Sequence, residues 1–264
     1  MWVNDSVNPT TTISGNFSNP QSIFVTNIGD IYIDDGESNG RVQRWISNTN
    51  TFVTVMNVES RCLGLFVDID DTLYCSMSHH HKVMKRWLNE SGMTSTLAAG
   101  TGTAGSAPDQ LDRPRGIVVD VNFDLYVADC RNHRIQLFPS GQRNGITVAG
   151  DGSADITITL RCPNGVVLDG DRYLFVVDNN NYRIIGSGPS GFRCVIGCSG
   201  QSGSQSDQLS LPFTLSFDRD GNIFVSDQDN HRIQKFVLSP NSCGKCELVE
   251  EIVEAGETEG LDIG

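Results

Sequence analysis

The chain is built from short apolar runs separated by polar turns. Residues 116–119 (Gly-Ile-Val-Val) lead through a polar turn into residues 125–128 (Leu-Tyr-Val-Ala), and a similar pair of runs recurs at 165–168 and 174–177. Runs this short, rich in β-branched and aromatic side chains and bounded by turn formers, predict β-hairpins. Apolar residues at helical spacing with capping residues are absent, so the pattern predicts an all-β protein.

The hairpins repeat with a nearly constant period. The aromatic residues at the centre of the second runs lie 42, 52, 49 and 49 positions apart, at Tyr32, Tyr74, Tyr126, Phe175 and Phe224. The prolines that open three of the units keep the interval of 49, at Pro114, Pro163 and Pro212. A repeat of about 40–50 residues that contains four short strands is typical of a β-propeller blade.

Each unit carries two further runs that complete a set of four strands. The third begins at an arginine, as at Arg134 and Arg232, and the fourth ends at a glycine, as at Gly150. A four-stranded sheet needs neighbours on both faces, so blades stack around an axis. The predicted fold is therefore a β-propeller of four-stranded antiparallel blades, either five-bladed or an incomplete six-bladed ring. Five repeats are visible, at about 19–57, 62–100, 113–150, 162–197 and 211–238.

The turn into the third strand has a recurring motif. It reads Asp-Cys-Arg-Asn-His-Arg-Ile from Asp129, Asp-Asn-Asn-Asn-Tyr-Arg-Ile from Asp178 and Asp-Gln-Asp-Asn-His-Arg-Ile from Asp227. Together with the upstream Pro-x-Gly and the Leu-Tyr-Val-Ala-Asp run, it resembles the NHL-repeat family over about residues 10–240. The second copy departs from the motif, with Met77 in place of the Asp and three histidines in the turn.

The resemblance implies a binding scaffold. Known NHL-repeat members are interaction modules, some of which read RNA, and some catalytic relatives are metal-dependent amidating lyases. The fold alone does not choose among these activities. The function predicted first is a non-catalytic module that presents the loops of one propeller face to a protein or other ligand. The alternatives are a metal-dependent lyase or hydrolase on the same propeller and, after it, an RNA-binding domain.

Topology brings two sets of loops to one end of the propeller, which we call the upper face. These are the turns that carry the motif and the crossings between blades at 101–113, 151–161 and 199–211. Variable polar loops on a rigid scaffold are where binding residues usually lie. The predicted binding-face residues are Asp129, Arg131, His133, Asp178, Tyr182, Asp227, Asp229 and His231.

A structural role competes with ligand binding at several of these positions. The Asp of each turn suits an Asx-turn, and the Arg five positions later suits a partnership with carbonyl or carboxylate oxygens. The position that holds His81, His133 and His231 holds Tyr182 in the fourth copy. This exchange favours a structural ring over a metal ligand.

Groupings typical of catalytic or metal sites are weak. His79, His80 and His81 are weak candidates for a surface metal, because the sequence places no carboxylate close by. No Gly-x-Ser-x-Gly elbow is present, and no serine or cysteine is paired with a histidine in a recognisable motif. We expect neither a metal nor another cofactor, and we interpret the chain as a binding protein in preference to an enzyme.

The charge balance narrows the class of partner. The chain has 32 acidic and 19 basic residues and a net charge of −13. Binding to nucleic acid or to an anionic membrane needs a basic face, so neither is expected. No apolar run has the length of a membrane span, and the N-terminus lacks the regions of a signal peptide. A protein is therefore the expected partner.

Eight cysteines are a high content for a cytosolic protein. Their even number suits an oxidised chain, and an extracellular location is compatible with it. Cys243 and Cys246 form the single C-x-x-C motif in the sequence and are candidates for a local disulfide.

The two ends of the chain bear on how the ring closes. Repeat 5 shows three clear strands, while residues 10–15 read as a fourth strand with no first three before them. The predicted propeller spans 1–246, with residues 10–15 completing the last blade and 247–264 forming an acidic tail. The competing interpretation gives the closing place to residues 248–253, whose acidic side chains make a poor covered strand.

Overall fold

Five four-stranded antiparallel sheets form the protein. A computed structural model of the chain describes residues 13–154, 158–238 and 248–253. The sheets are arranged as a five-bladed β-propeller, which confirms the predicted fold class and selects five blades. The only helices among the described residues are single turns. None of them is long or apolar enough to cross a membrane.

Each blade uses four consecutive strands. Blade 1 contains β1 (Ile23–Val25), β2 (Ile31–Asp34), β3 (Arg41–Ile46) and β4 (Thr51–Asn57). Blade 2 contains β5 (Gly64–Val67), β6 (Thr72–Met77), β7 (Lys82–Trp87) and β8 (Thr96–Gly100). Blade 3 contains β9 (Pro114–Val119), β10 (Leu125–Asp129), β11 (Arg134–Phe138) and β12 (Ile146–Gly150).

The last two blades follow the same order. Blade 4 contains β13 (Pro163–Leu168), β14 (Leu174–Asp178), β15 (Arg183–Gly188) and β16 (Gly191–Ile196). Blade 5 contains β17 (Pro212–Phe217), β18 (Ile223–Asp227), β19 (Arg232–Leu238) and β20 (Leu248–Val253). A helical turn joins the second strand to the third: α1 (Gly36–Asn39) in blade 1, then 3-10 turns at Ser78–His80, Cys130–Asn132, Asn179–Asn181 and Gln228–Asn230.

The first strand of each blade is innermost, and the first strands of consecutive blades, from blade 1 to blade 5, meet around the axis. Glycine is required where they meet. A Cβ on Gly116 would lie 2.5 Å from the Asn164 carbonyl oxygen, and a Cβ on Gly64 would lie 2.6 Å from the Arg115 carbonyl oxygen. The glycine of the Pro-x-Gly motif therefore allows one blade's backbone to approach the next.

Hydrophobic packing holds consecutive blades together. Four buried clusters join blade 1 to 2, 2 to 3, 3 to 4 and 4 to 5. Between blades 2 and 3, Val83 and Ala99 pack with Ile117 and Val127 of the next blade, together with Leu111 from the crossing. Removal of apolar surface from water stabilises the fold by about 25 cal/mol per Å². These junctions are therefore the main source of stability.

The junction between blade 5 and blade 1, which we call the seam, is packed differently. Ile23 and Val25 on β1 are 62% and 53% exposed, whereas Leu65 and Ile117, which occupy the position of Ile23 in blades 2 and 3, are each 6% exposed. On the other side, Ile233 is 40% exposed, although its equivalents in blades 1–4 are fully buried. Among the described residues no hydrophobic cluster spans the seam.

The fourth strand of blade 5 comes from the C-terminal region. β20 pairs antiparallel with β19, from Leu238 opposite Leu248 to Ile233 opposite Val253. The prediction that residues 10–15 complete this blade is therefore wrong, as is the boundary that placed residues 247–264 outside the propeller. Residues 10–12 lie outside the described part of the chain, and residues 13–15 form no strand.

Chain length explains why residues 10–15 do not supply this strand. Gly15 lies three positions before Ser18, whose N–H is held by Asp35 of blade 1. The outermost and innermost strands of a blade lie about three strand spacings apart, roughly 14 Å. Three residues span at most about 11 Å. The crossing from Gly150 to Arg161 uses eleven positions for the same path.

We expect a chain that ends at residue 247 to melt below one that ends at residue 253. The shorter chain lacks β20 and leaves β19 as an unpaired edge strand. The expected loss is about 2 kcal/mol or more, which lowers Tm by roughly 4 °C or more in a domain of this size. Circular dichroism melts of the two chains measure the difference, and equal melting temperatures would contradict the role of β20.

Three disulfides add covalent links to the fold: Cys62–Cys75, Cys130–Cys162 and Cys194–Cys198. The second of these joins the motif turn of blade 3 to the residue before β13, so it crosses a blade junction. The sequence carried no information on these pairings. Cys243 and Cys246 lie outside the described residues, so their pairing stays a prediction.

Replacing Cys130 and Cys162 together by Ala is expected to lower the free energy of unfolding by about 2–4 kcal/mol. The bridge closes a loop of 32 positions and so restrains the unfolded chain. The pair Cys194→Ala and Cys198→Ala is the matched control, because its loop spans only 4 positions and its loss costs less. Urea titrations without reductant give both values, and a larger loss in the control would contradict this account.

Candidate functional site

The motif turns of blades 1, 3, 4 and 5 are each organised around a buried carboxylate, whereas blade 2 has Met77 at this position. Asp129 is fully buried, and its Oδ1 accepts the Asp112 N–H at 2.7 Å. Its Oδ2 accepts hydrogen bonds from Asn132 Nδ2 and Arg134 Nε, both at 2.8 Å. Asp178 and Asp227 are equally buried and accept the equivalent three bonds. The Asp, Asn and Arg of the motif therefore satisfy one another.

The arginine of the motif also fixes the crossing that precedes its own blade. Arg134 Nη1 donates to the Ser106 carbonyl at 3.0 Å, and its Nη2 donates to the Gln110 carbonyl at 3.0 Å. Arg232 makes the same bonds in blade 5, to carbonyls exactly two repeats further along the chain, at 2.9 and 3.1 Å. Charge-assisted bonds of this kind are roughly twice as strong as neutral ones. They hold the crossings in a defined conformation.

Burial and hydrogen bonding oppose each other at these carboxylates. Burial raises the pKa of Asp129, and the bonds from Asn132 and Arg134 offset it only in part. At Asp35 of blade 1 burial acts in the same direction, but the donors, led by the Arg41 side chain, outweigh it and lower the pKa. Both carboxylates are enclosed by fixed donors, which suits a structural role. The predicted binding-face residues Asp129, Asp178 and Asp227 thus lie beneath the surface.

The middle residue of the turn is exposed in blades 1, 2, 3 and 5 and half-buried in blade 4. The Arg131 N–H donates to the Asp112 carbonyl, and the Asp229 N–H donates to the Ser210 carbonyl, each at 3.1 Å. The backbone is thus fixed, while the side chains of Arg131 and Asp229 make no hydrogen bond or ion pair within the described residues. We call this set the turn-tip residues: Glu37, His79, Arg131, Asn180 and Asp229.

The position after each turn links one blade to the next. His133 Nδ1 accepts the Cys162 N–H of blade 4 at 3.0 Å, and His81 makes the equivalent bond to blade 3 at 3.2 Å. The backbone there is left-handed, with φ of 53° at His133 and 55° at Tyr182. His231 borders the seam and makes no such bond in the described structure. His81 and His133 therefore bond neighbouring blades to each other.

The three consecutive histidines do not converge. His79 Nδ1 lies 3.5 Å from Glu37 and His80 Nδ1 lies 3.2 Å from Glu59, whereas His81 Nδ1 accepts the Arg113 N–H. Glu37 and Glu59 come from blade 1, which the sequence spacing did not reveal. Among the described residues no group of three or more His, Cys, Asp or Glu side chains is placed to hold a metal ion.

A central cavity, which the sequence reasoning missed, runs along the propeller axis. Its volume is about 1040 Å³, and the first strands of all five blades line it. Gln21, Asn164 and Phe213, from the upper ends of three of those strands, are part of its lining. The Pro-x-Gly motif was a usable signal, because its glycine marks the strand that lies at the axis.

Comparison with known proteins agrees with this architecture. A model of the NHL repeat matches residues 111–138 and 209–236, which cover the first three strands of blades 3 and 5. The chain is a β-propeller with NHL repeats in blades 3 and 5. No curated protein sequence matches it significantly.

Solved propellers resemble this NHL-repeat chain in fold. A streptogramin B lyase has 14% identity and a TM-score of 0.63 and is matched over 91% of this chain and 70% of its own. Virginiamycin B lyase from Staphylococcus aureus has 15% identity and a TM-score of 0.61, over 90% and 72%. An auxiliary nutrient binding protein from Bacteroides thetaiotaomicron has 16% identity and a TM-score of 0.64, over 85% and 60%. At these identities the likeness shows the fold alone.

Asp227→Ala and Asp229→Ala compare the stability cost of losing a buried network residue with that of losing an exposed turn-tip residue. Asp227→Ala removes the acceptor of four hydrogen bonds and strands the Arg232 guanidinium, so we expect a loss of about 3–5 kcal/mol. Asp229→Ala, two positions away, should change stability by less than about 0.5 kcal/mol. Chemical denaturation measures both, and similar values for the two variants would contradict the assignment.

Proposed function

We propose that the protein is a non-catalytic binding module whose upper face takes a protein partner through the turn-tip residues. One observation carries the proposal. The buried Asp-Asn-Arg network repeats with the same geometry in blades 3, 4 and 5, while the position it supports holds Arg131, Asn180 and Asp229 in turn. A constant frame under a varied, solvent-directed position is the arrangement expected of a recognition surface.

Preorganisation supports the same proposal. In blades 3, 4 and 5 the backbone of the turn tip is bonded to a crossing, and that crossing is bonded to the arginine of the motif. A surface that is rigid before binding loses less conformational entropy when the partner docks. The turn tips carry both signs of charge: Glu37 and Asp229 are acidic and Arg131 is basic. A mixed pattern favours a protein surface over a uniformly charged phosphate backbone.

The disulfides indicate the setting in which such a module works. Disulfides persist in oxidising compartments. The three bridges, one of them across a blade junction, support an oxidising setting for the proposed module, such as the outside of the cell.

Loss of a partner on a triple turn-tip substitution tests the proposal. Immobilised protein and its Arg131→Ala, Asn180→Ala, Asp229→Ala triple variant are exposed to extracellular fractions, and bound proteins are quantified. A triple variant on the opposite face, Asp171→Ala, Arg219→Ala, Asp220→Ala, is the matched control. A partner retained by the control and lost by the turn-tip variant is then titrated in pure form, with an expected weakening of tenfold or more.

Two results would overturn the proposal. One is a set of bound proteins that the turn-tip variant leaves unchanged. The other is turnover of streptogramin B by the purified protein. Chromatography measures this turnover in reactions with and without an added divalent cation. Two of the neighbours named above are lyases of that class, so turnover would favour the lyase alternative.

A further inference from the structure

The central cavity has the size and the walls of a ligand site. Its volume of about 1040 Å³ is just above the range for small-molecule pockets, about 300–1,000 Å³. Phe24, Phe66, Val118 and Val167, one from each of four consecutive blades, contribute to an apolar wall. Five consecutive residues line it in blade 4 (164–168) and in blade 5 (213–217), which corresponds to a length of about 16 Å.

The seam gives this cavity an exposed apolar side. Ile23 and Val25 line the cavity and are more than half exposed, although their equivalents in other blades are covered by the preceding blade. A second cavity of about 410 Å³ lies at the same seam and is bordered by Phe213 and Ile233. Exposed apolar surface of this kind is typical of a binding groove. Water against these side chains is replaced favourably by an apolar ligand.

A cation without a carboxylate partner lies beside the cavity. Arg115 Nη1 donates to Asn164 Oδ1 at 2.8 Å, and Asn164 lines the cavity. Arg115 Nε is buried and has no acceptor, and neither Arg115 nor its neighbour Arg113 belongs to an ion pair within the described ranges. Burial, followed by the charge of Arg113, lowers the pKa of Arg115. A partly buried guanidinium with no counter-ion favours an anion.

We propose that the central cavity binds an anionic amphiphile, namely a single-chain carboxylate. Its tail lies against Ile23, Val25 and the aromatic rings of Phe24 and Phe66, and its head group pairs with Arg115. Charge complementarity selects this class of ligand. A neutral apolar molecule leaves Arg115 unpaired, and a small anion leaves Ile23 and Val25 in water. The site is separate from the turn tips, so it does not depend on the protein-binding proposal.

Calorimetric titration with decanoate, 1-decanol and hexanoate tests the ligand class. Decanoate should bind with one-to-one stoichiometry below its aggregation limit. Decanol, which lacks the charge, should bind about tenfold more weakly. Hexanoate, which buries four fewer methylenes, should bind roughly 200-fold more weakly. No binding of decanoate, or equal affinity for decanoate and decanol, would overturn the proposal.

Two pairs of variants test the site itself. Arg115→Gln should weaken decanoate about tenfold and leave decanol unchanged, while Arg115→Lys should keep most of the affinity. Ile23→Glu should abolish binding of both ligands. Ile28→Glu is its matched control, because Ile28 is 80% exposed and does not line the cavity. Each variant is first checked for an unchanged melt, and an equal effect of Ile23→Glu and Ile28→Glu would refute the site.

Discussion

A four-stranded blade cannot cover its own faces, and this constraint explains most of the molecule. Each blade buries its apolar side chains only against the next blade, so the structure is a chain of junctions. The glycines at the axis, the His-to-backbone bonds and the Cys130–Cys162 bridge all act at such junctions. Where a junction is not packed, as at the seam, the same rule leaves Ile23 and Val25 in contact with solvent.

The buried Asp-Asn-Arg network solves a second problem, which is how to hold long polar crossings in place. A loop without strands has carbonyl groups that need donors. Arg134 and Arg232 supply them, and the buried Asp neutralises each arginine from below. Because these residues bond to each other and to the backbone, little of their hydrogen-bonding capacity remains for a ligand. Variation is then confined to positions such as Arg131 and Asp229, which the network supports without using.

The sequence predicted the features that depend on local order and on the repeat. Hairpins and the period of 49 residues follow from nearest neighbours, and they led to the fold and to the correct face for the motif turns. Contacts between blades were less accessible. The pairing of Cys130 with Cys162 and the approach of Glu59 to His80 need two blades in register. The closing strand was assigned wrongly because the prediction used only the polarity of residues 248–253. It did not consider that the chain between residues 10–15 and blade 1 is too short to cross a blade.

The repeat separates two kinds of position that can evolve independently. The turn tips lie at the end of the second strand, outside the hydrophobic clusters. The cavity wall lies on the first strand, at positions that face the axis. A substitution at Arg131 leaves the packing of β9 unchanged, and one at Ile23 leaves the Asp-Asn-Arg network unchanged, because no hydrogen bond among the described residues connects the two sets of side chains. Sites without shared partners have additive effects on stability. Arg131 and Ile23 can therefore be altered separately, whereas the motif turn of blade 5 is closer to the cavities, because Gln228, His231 and Arg232 border the second cavity at the seam.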